Sequence, residues 1–405
     1  MDIELDPTEA GMDPVRLARL DHYLGQYVDD GRVPGWQLVL TRRGKVVHES
    51  TAGMRHREDG TPIGSDSLFR IYSMTKPITS VAAMMLYERG LFQLSDPISK
   101  FIPSFGDVRV YTGGSDRDTK TVPATEPIRM RHLLSHTAGL TYGFFRQHPV
   151  DALYRKNGLD TGIDSHASLA DFCDAVAGIP LLFQPGSEWA YSMATDVLGG
   201  VVEVISGQSL GDFFESEIFT PLGMKDTRFA NVGGPNPRLA RLYTQSADGL
   251  VPGDKLAEGV EKATFAAGGA GLLSSAHDYH RFTQMLLRGG ELDGQRLLGP
   301  RTVAFMASNH LPGNVDLDSY GRAMYSETPM RGIGFGLGFS VNLDPAAIGR
   351  PAGRGAYGWG GVAGTRFWVD PAEELTAMFF TQVFTLNPLP IREMLPQLVY
   401  QALVD

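Results

Sequence analysis

Apolar positions recur along this chain with two different periods, and the periods are segregated. Near the start, Val15, Leu17, Leu20, Tyr23, Leu24 and Tyr27 fall at three-and-four spacing, which predicts an amphipathic helix over residues 14–28. Two β-rich runs follow, at 36–40 and 45–49, separated by Arg42-Arg43-Gly44 as in a hairpin. The far end mirrors this. Residues 336–341, 365–369 and 375–381 read as strands, Asp370-Pro371 starts a turn, and about 390–403 reads as a closing helix. The middle differs, with helical spacing at 78–89, 130–136, 169–176, 194–205 and 210–218, and again at 276–287. Residues 106–127 are polar and glycine-rich, as in a loop or small subdomain. The pattern predicts an α+β fold: an antiparallel β-sheet flanked by helices, with an inserted mainly helical lobe. Residues 1–80 with 265–405 would form the sheet-bearing lobe and 81–264 the helical one. A crevice between two such lobes is where a site is expected.

Composition narrows the partners. The hydrophobic content of 42% and charged content of 20% are those of a folded globular chain. A formal net charge of -10 argues against nucleic acid, which needs a basic footprint. No apolar run reaches the roughly 18 residues that span a bilayer, and the N-terminus has no basic segment followed by an apolar core. The lone Cys173 cannot form an internal disulfide and is expected to be a buried, inert thiol. A cytoplasmic monomer or homodimer without cofactor is the expectation.

The chemistry concentrates in Ser73-Met74-Thr75-Lys76-Pro77. Pro77 is tolerated only in the first turn of a helix, so a helix starts near Ser73 to Thr75. Residues three apart share a helix face, which puts the Ser73 hydroxyl beside the Lys76 amine. Serine alone is a poor nucleophile, but a lysine drawn partly out of water can take its proton. By itself the pattern also fits a helix-capping serine and a solvated lysine.

Two further elements change the balance: Tyr191-Ser192-Met193, after the turn at 184–187, and Trp359-Gly360-Gly361-Val362, just before the strand at 365–369. With Ser73-Met74-Thr75-Lys76 they resemble, in order and rough spacing over nearly the whole chain, the serine β-lactamases and penicillin-binding proteins. Within that superfamily the resemblance is closest to the β-lactamase-like carboxylesterases of family VIII, of which the Trp-Gly-Gly form is typical. The resemblance implies that Ser73 attacks an ester carbonyl, that Lys76 and Tyr191 move its proton, and that the backbone N–H groups of Ser73 and Val362 form an oxyanion hole. Met193, Trp359, Gly360 and Gly361 are the implied substrate-binding residues, and a small-molecule ester the implied partner.

Two departures matter. Met193 stands where β-lactamases carry Asn, and Trp359 where they carry the lysine of Lys-Thr-Gly. Losing a cation that pairs with a substrate carboxylate in a desolvated site costs on the order of 2–5 kcal/mol. Both changes favour neutral, apolar esters, with Trp359 as an apolar wall and Arg366 as a nearby cation of unknown orientation. β-Lactamase, D-alanyl-D-alanine peptidase-like and acyltransferase activities with the same residues remain alternatives, as does a non-catalytic receptor of the same fold.

Other candidates have structural readings. His132 and His136 are four apart on the expected helix at 130–136, but without an obvious third metal ligand. The run Ala266-Ala267-Gly268-Gly269-Ala270-Gly271 lacks the lysine of a phosphate loop and is expected to pack under the crevice. Residues 332–338 are read as a strand edge. No Gly-x-Ser-x-Gly elbow is expected in the chain, and with it no α/β-hydrolase. Tyr142, Phe144, Phe145 and Tyr357 are candidate walls of an acyl pocket, or core aromatics.

Overall fold

The computed structural model describes residues 1–161, 166–232, 236–247, 249–322, 331–385 and 389–405. Its centre is an eight-stranded sheet built from both chain ends. The strands are β1 (Gly35–Arg42), β2 (Lys45–His56), β3 (Thr61–Pro62), β7 (Ile333–Phe335), β8 (Ser340–Asn342), β9 (Tyr357–Gly360), β10 (Arg366–Asp370) and β11 (Leu375–Thr381). Their order is β7-β8-β9-β10-β11-β1-β2-β3, with every neighbouring pair antiparallel. A small second sheet joins β4 (Leu68–Arg70) to β6 (Leu272–Ser275) and β5 (Arg228–Phe229). The result is an α+β fold, an antiparallel sheet with helices packed on it.

The central strands β1 and β11 are buried throughout because helices cover both sheet faces. On one face Trp36, Leu38, Leu40, Ala377 and Phe379 pack with helices α1 (Pro14–Asp29) and α7 (Ile391–Tyr400). On the other, Val39, Met378 and Phe380 join the larger core, which also holds α2 (Thr75–Glu88) and α6 (Ala276–Leu287). One polar contact crosses that second interface: the Gln284 amide donates to the hydroxyls of Thr41 (3.0 Å) and Thr376 (3.2 Å). Helices α3 (Met130–Leu134), α4 (Leu169–Ala177) and α5 (Ala194–Ser206) belong to the same large core.

Several expected elements differ. Of the strand read at 336–341, only 340–341 are strand, the start of β8; 336–339 form a turn between β7 and β8, closed by Gly336 N–H donating to the Phe339 carbonyl (2.8 Å). Its glycine alternation mimicked a strand, but Gly338 sits at φ +100°, and a Cβ there would meet the Ser80 hydroxyl. Edge strand β7 does occupy the first half of 332–338. Helix α3 stops at Leu134, and His136 lies beyond it with φ +56°. The helix read at 210–218 is α-helical only over Leu210–Phe214 and continues as a π-helical turn, Glu215–Phe219. Within 106–127, Arg109–Gly114 and Thr119–Pro123 pair as a separate hairpin. Among the described residues no helix is long and apolar enough to cross a membrane, and Cys173 is buried with its thiol pushed well up by burial.

Leu38 is fully buried between β1 and the α1–α7 layer. Leu38→Ala is expected to remove about 2–5 kcal/mol of stability and Leu38→Met less than about 1.5 kcal/mol. Urea midpoints of the two variants check this order.

Candidate active site

Strand β4 delivers the chain to Ser73, and its position is fixed at both backbone groups of Arg70. The Gln382 side chain accepts from Arg70 N–H (3.1 Å) and donates to the Arg70 carbonyl (3.1 Å), while the Arg70 guanidinium pairs with Glu261. A 3-10 turn, Tyr72–Met74, then carries Ser73 directly into α2. Tyr72 has φ +43°, a conformation costly for a bulky residue, on the order of 1–3 kcal/mol. The Tyr279 hydroxyl of α6 holds the turn by donating to the Met74 carbonyl (2.9 Å).

Lys76 lies in the first turn of α2 and is 2% exposed; Ser73 is 7% exposed. The Lys76 ammonium donates to Ser73 Oγ (3.2 Å) and to the Gly269 carbonyl (2.7 Å). Its Nζ stands 4.7 Å from the centre of the Tyr191 ring and 5.6 Å from that of Tyr142. The tyrosine more than a hundred positions away thus converges on the serine and the lysine. Tyr191 is buried, and its hydroxyl accepts from the Trp359 indole N–H at 3.2 Å. Trp359 is therefore more than an apolar wall. It replaces a cation with a neutral donor aimed at the phenol oxygen, which favours negative charge there.

Gly360 and Gly361 bring the end of β9 against the Ser73 turn. A Cβ on Gly361 would lie 2.5 Å from the Ile71 carbonyl oxygen, so only glycine allows this approach. Val362 follows and packs with Tyr72 and Ala363. Met193 is fully buried at the N-terminus of α5, so its side chain presents no surface to a ligand in this structure. Arg366 points to the reverse of the sheet. It shares a face with Trp368 of the α1–α7 core, whereas Phe367 and Trp359 belong to the opposite one. It cannot supply the missing cation beside Ser73.

Sequence patterns gave no role to Asp196, Thr79 or Arg392, which position these residues. Asp196, in the first turn of α5, accepts from Gly269 N–H (2.8 Å) and so sets the carbonyl that holds Lys76. A Cβ on Gly269 would lie 2.2 Å from the Asp196 carboxylate, and Thr79 donates to the Gly268 carbonyl (2.6 Å), so the glycine-rich run is a cradle for α2. Arg392 of α7 donates to the Gly361 carbonyl (3.1 Å), which belongs to the same peptide unit as the Val362 N–H. The usable signal was glycine density and a helix-start aspartate, but neither pattern names its partner.

The two histidines do not meet as metal ligands. His132 Nδ1 accepts from Arg129 N–H (3.1 Å) at the start of α3, and His136 Nδ1 pairs with the Ser192 hydroxyl (3.2 Å). Burial, then the nearby Lys76 charge, holds His136 well below the usual histidine range, so it stays neutral with its ring 4.9 Å from that of Tyr191. Tyr142, Phe144 and Phe145 cluster beside Tyr191, with Phe144 stacked on Tyr142 and partly open to solvent. Tyr357 packs on Phe339 instead. A Gly-x-Ser-x-Gly pentapeptide does occur, at Gly207-Gln208-Ser209-Leu210-Gly211, against expectation. It is no nucleophile elbow: it joins two helices, and the Ser209 hydroxyl caps the second by accepting from Asp212 N–H (3.1 Å).

The structure thus brings Ser73, Lys76 and Tyr191 together on an α+β scaffold. The Beta-lactamase family model matches residues 20–396, and the chain belongs to that family. It is 32% identical over 396 residues to Esterase EstB of Burkholderia gladioli, covering 93% of each chain. It is 28% identical over 370 residues to the Lovastatin esterase of Penicillium rubens, covering 86% of this chain and 88% of that one. Among solved structures, EstCE1, described as a hydrolase with promiscuous acyltransferase activity, superposes with a TM-score of 0.79. It is 28% identical, and the match covers 96% of this chain and 99% of that one.

Burial, with Arg131 and Arg129 adding to it, holds His132 down to about 4, and burial likewise holds His280 down to about 4. Between pH 6.5 and about 4 the unfolded chain therefore binds protons that the folded chain refuses. Stability is complete above pH 6.5 and falls as pH drops, by on the order of 3 kcal/mol for His132 at full extent. Urea melts of the wild type and His132→Gln at pH 7.5 and 5 check this. The wild type should lose more stability than the variant over that interval.

Proposed function

We propose that the protein is a serine carboxylesterase that cleaves small to medium esters through an acyl-serine intermediate. The observation that carries this reading is the Lys76 ammonium, 3.2 Å from Ser73 Oγ, with the Tyr191 ring 4.7 Å away. With Tyr191 as the phenolate, Lys76 passes an ammonium proton to it and takes the Ser73 proton as Oγ bonds to the acyl carbon. The carbonyl oxygen gains the charge, facing the backbone N–H groups of Ser73 and Val362. Such preorganised donors typically contribute a few kcal/mol. Collapse of the tetrahedral intermediate breaks the bond to the alcohol, which leaves with the proton. Water then attacks the acyl-serine, gives a proton back through the same pair, and releases the acid.

Trp359 in place of a cation and the Tyr142–Phe144–Phe145 cluster support an apolar, uncharged substrate. The site lies where the sheet-bearing part, 1–80 with 265–405, meets the helical part, 81–264. The esterases among the relatives support hydrolysis, and the printed acyltransferase activity of EstCE1 supports acyl transfer to an added alcohol as a second outcome of the same intermediate. One buried thiol and no disulfide support a reducing compartment such as the cytoplasm.

The wild type is expected to hydrolyse p-nitrophenyl butyrate faster than nitrocefin. Ser73→Ala should lose ester turnover by ~10³-fold or more, and a fluorophosphonate probe should label Ser73 in the wild type alone. Unchanged turnover in Ser73→Ala would end this reading, and faster nitrocefin turnover would make the enzyme a β-lactamase. A correctly folded wild type that resists the probe would instead be a receptor.

A further inference from the structure

Strand β9 has two unlike faces. Tyr357 and Trp359 face the larger core, on the side of the sheet that bears the candidate active site, and the alternate positions are Gly358 and Gly360. On the reverse face the strand therefore carries no side chains. The neighbours across the ladder do: Ser340 and Trp368 flank Gly358, and Arg366 flanks Gly360. A hollow of about 50 Å³ results, roofed by Arg392, Pro396 and Tyr400 of α7 and rimmed by Arg350. One water needs roughly 10–15 Å³ measured this way, so the hollow has room for a few waters or one small polyatomic ion.

Its charge is unusual for so acidic a chain. Arg350, Arg366 and Arg392 converge on it. Some of their N–H groups are committed: Arg366 donates to the Arg392 carbonyl and Arg392 to the Gly361 carbonyl. A guanidinium carries five donors, so Arg366, with one of them given to the Arg392 carbonyl, and Arg350 on the rim have bonds to make into the hollow. Burial, followed by the repulsion of Arg350 and Arg392, lowers Arg366 from its ordinary value, and Glu393 is the carboxylate that opposes this. Asp370 is occupied elsewhere, accepting from the Tyr400 hydroxyl (2.6 Å) and from Ala372 N–H (3.1 Å). Clustered guanidiniums around a small cavity are the arrangement that binds oxyanions through forked hydrogen bonds.

We propose that the hollow behind the Trp-Gly-Gly strand binds a tetrahedral oxyanion, either free phosphate or the phosphate group of a small monoester. The site is separate from Ser73, on the opposite face of the sheet. Through Arg392 it adjoins the Gly361–Val362 peptide, so occupancy is placed to affect the candidate oxyanion donor.

Thermal melts of the full chain test binding without reference to activity. Sodium phosphate should raise Tm saturably, and sodium chloride at matched ionic strength should not. Arg366→Met and, in case that variant fails to fold, Arg350→Gln on the rim should each weaken the apparent affinity by ~10-fold or more. A methyl phosphate arm separates the two sources. Affinity within ~10-fold of phosphate identifies a monoester head group as an acceptable ligand, and much weaker binding identifies the free anion. No saturable shift in the wild type, or equal shifts in the wild type and in a folded variant, would overturn the proposal.

Discussion

The arrangement depends on one buried ammonium. Lys76 is almost without solvent, and a charge in that position must be matched by hydrogen-bond acceptors or it destabilises the fold. The Ser73 hydroxyl and the Gly269 carbonyl provide two, at 3.2 and 2.7 Å. The Gly269 carbonyl is available because Gly269 has no side chain and because Asp196 holds its N–H. Three distant parts of the chain, α2, the start of α5 and the glycine-rich run before β6, are thus tied to one nitrogen atom. The same contacts that satisfy the charge aim it at the serine.

Around that nitrogen the protein combines apolar packing with a few directed donors. The Tyr191 ring sits among Trp189, His136, Tyr142 and Trp359, and its hydroxyl receives the Trp359 N–H. His136 stays neutral there, so it adds packing and no competing charge. A cation at position 359 would attract a carboxylate-bearing ligand; an indole offers apolar surface and one donor. The two glycines that follow let β9 press against the Ser73 turn, and on the reverse of the same strand glycine leaves the arginine-lined hollow. One short strand therefore shapes both faces of the sheet.

Much of this was legible in the chain. Periodicity located α1, α2, α5, α6 and the strands at both ends, because each has an apolar face that a packed layer must cover. The three motifs point to Ser73, Lys76 and Tyr191. The failures have physical reasons. Residues 332–341 alternate like one strand, yet the positive φ of Gly338 makes a turn there. The helix at 130–136 ended early, which separated two histidines that sequence spacing had put on one face. The Gly-x-Ser-x-Gly pentapeptide at 207–211 is a helix cap, which its letters alone do not reveal.

The sequence by itself determined the local chemistry: a serine three residues before a lysine at a helix start, a tyrosine and a Trp-Gly-Gly to meet them, and a sheet assembled from the two ends. Tertiary structure decided orientation and partnership. It turned Arg366 away from the cleft, buried Met193, made Trp359 a donor to Tyr191, and assigned Asp196 and Gly269 to the lysine. Those outcomes depend on contacts between residues far apart in the chain. Spacing along a polymer constrains which groups are near neighbours on one helix or strand, but not which face of a sheet a side chain finally shares with another element.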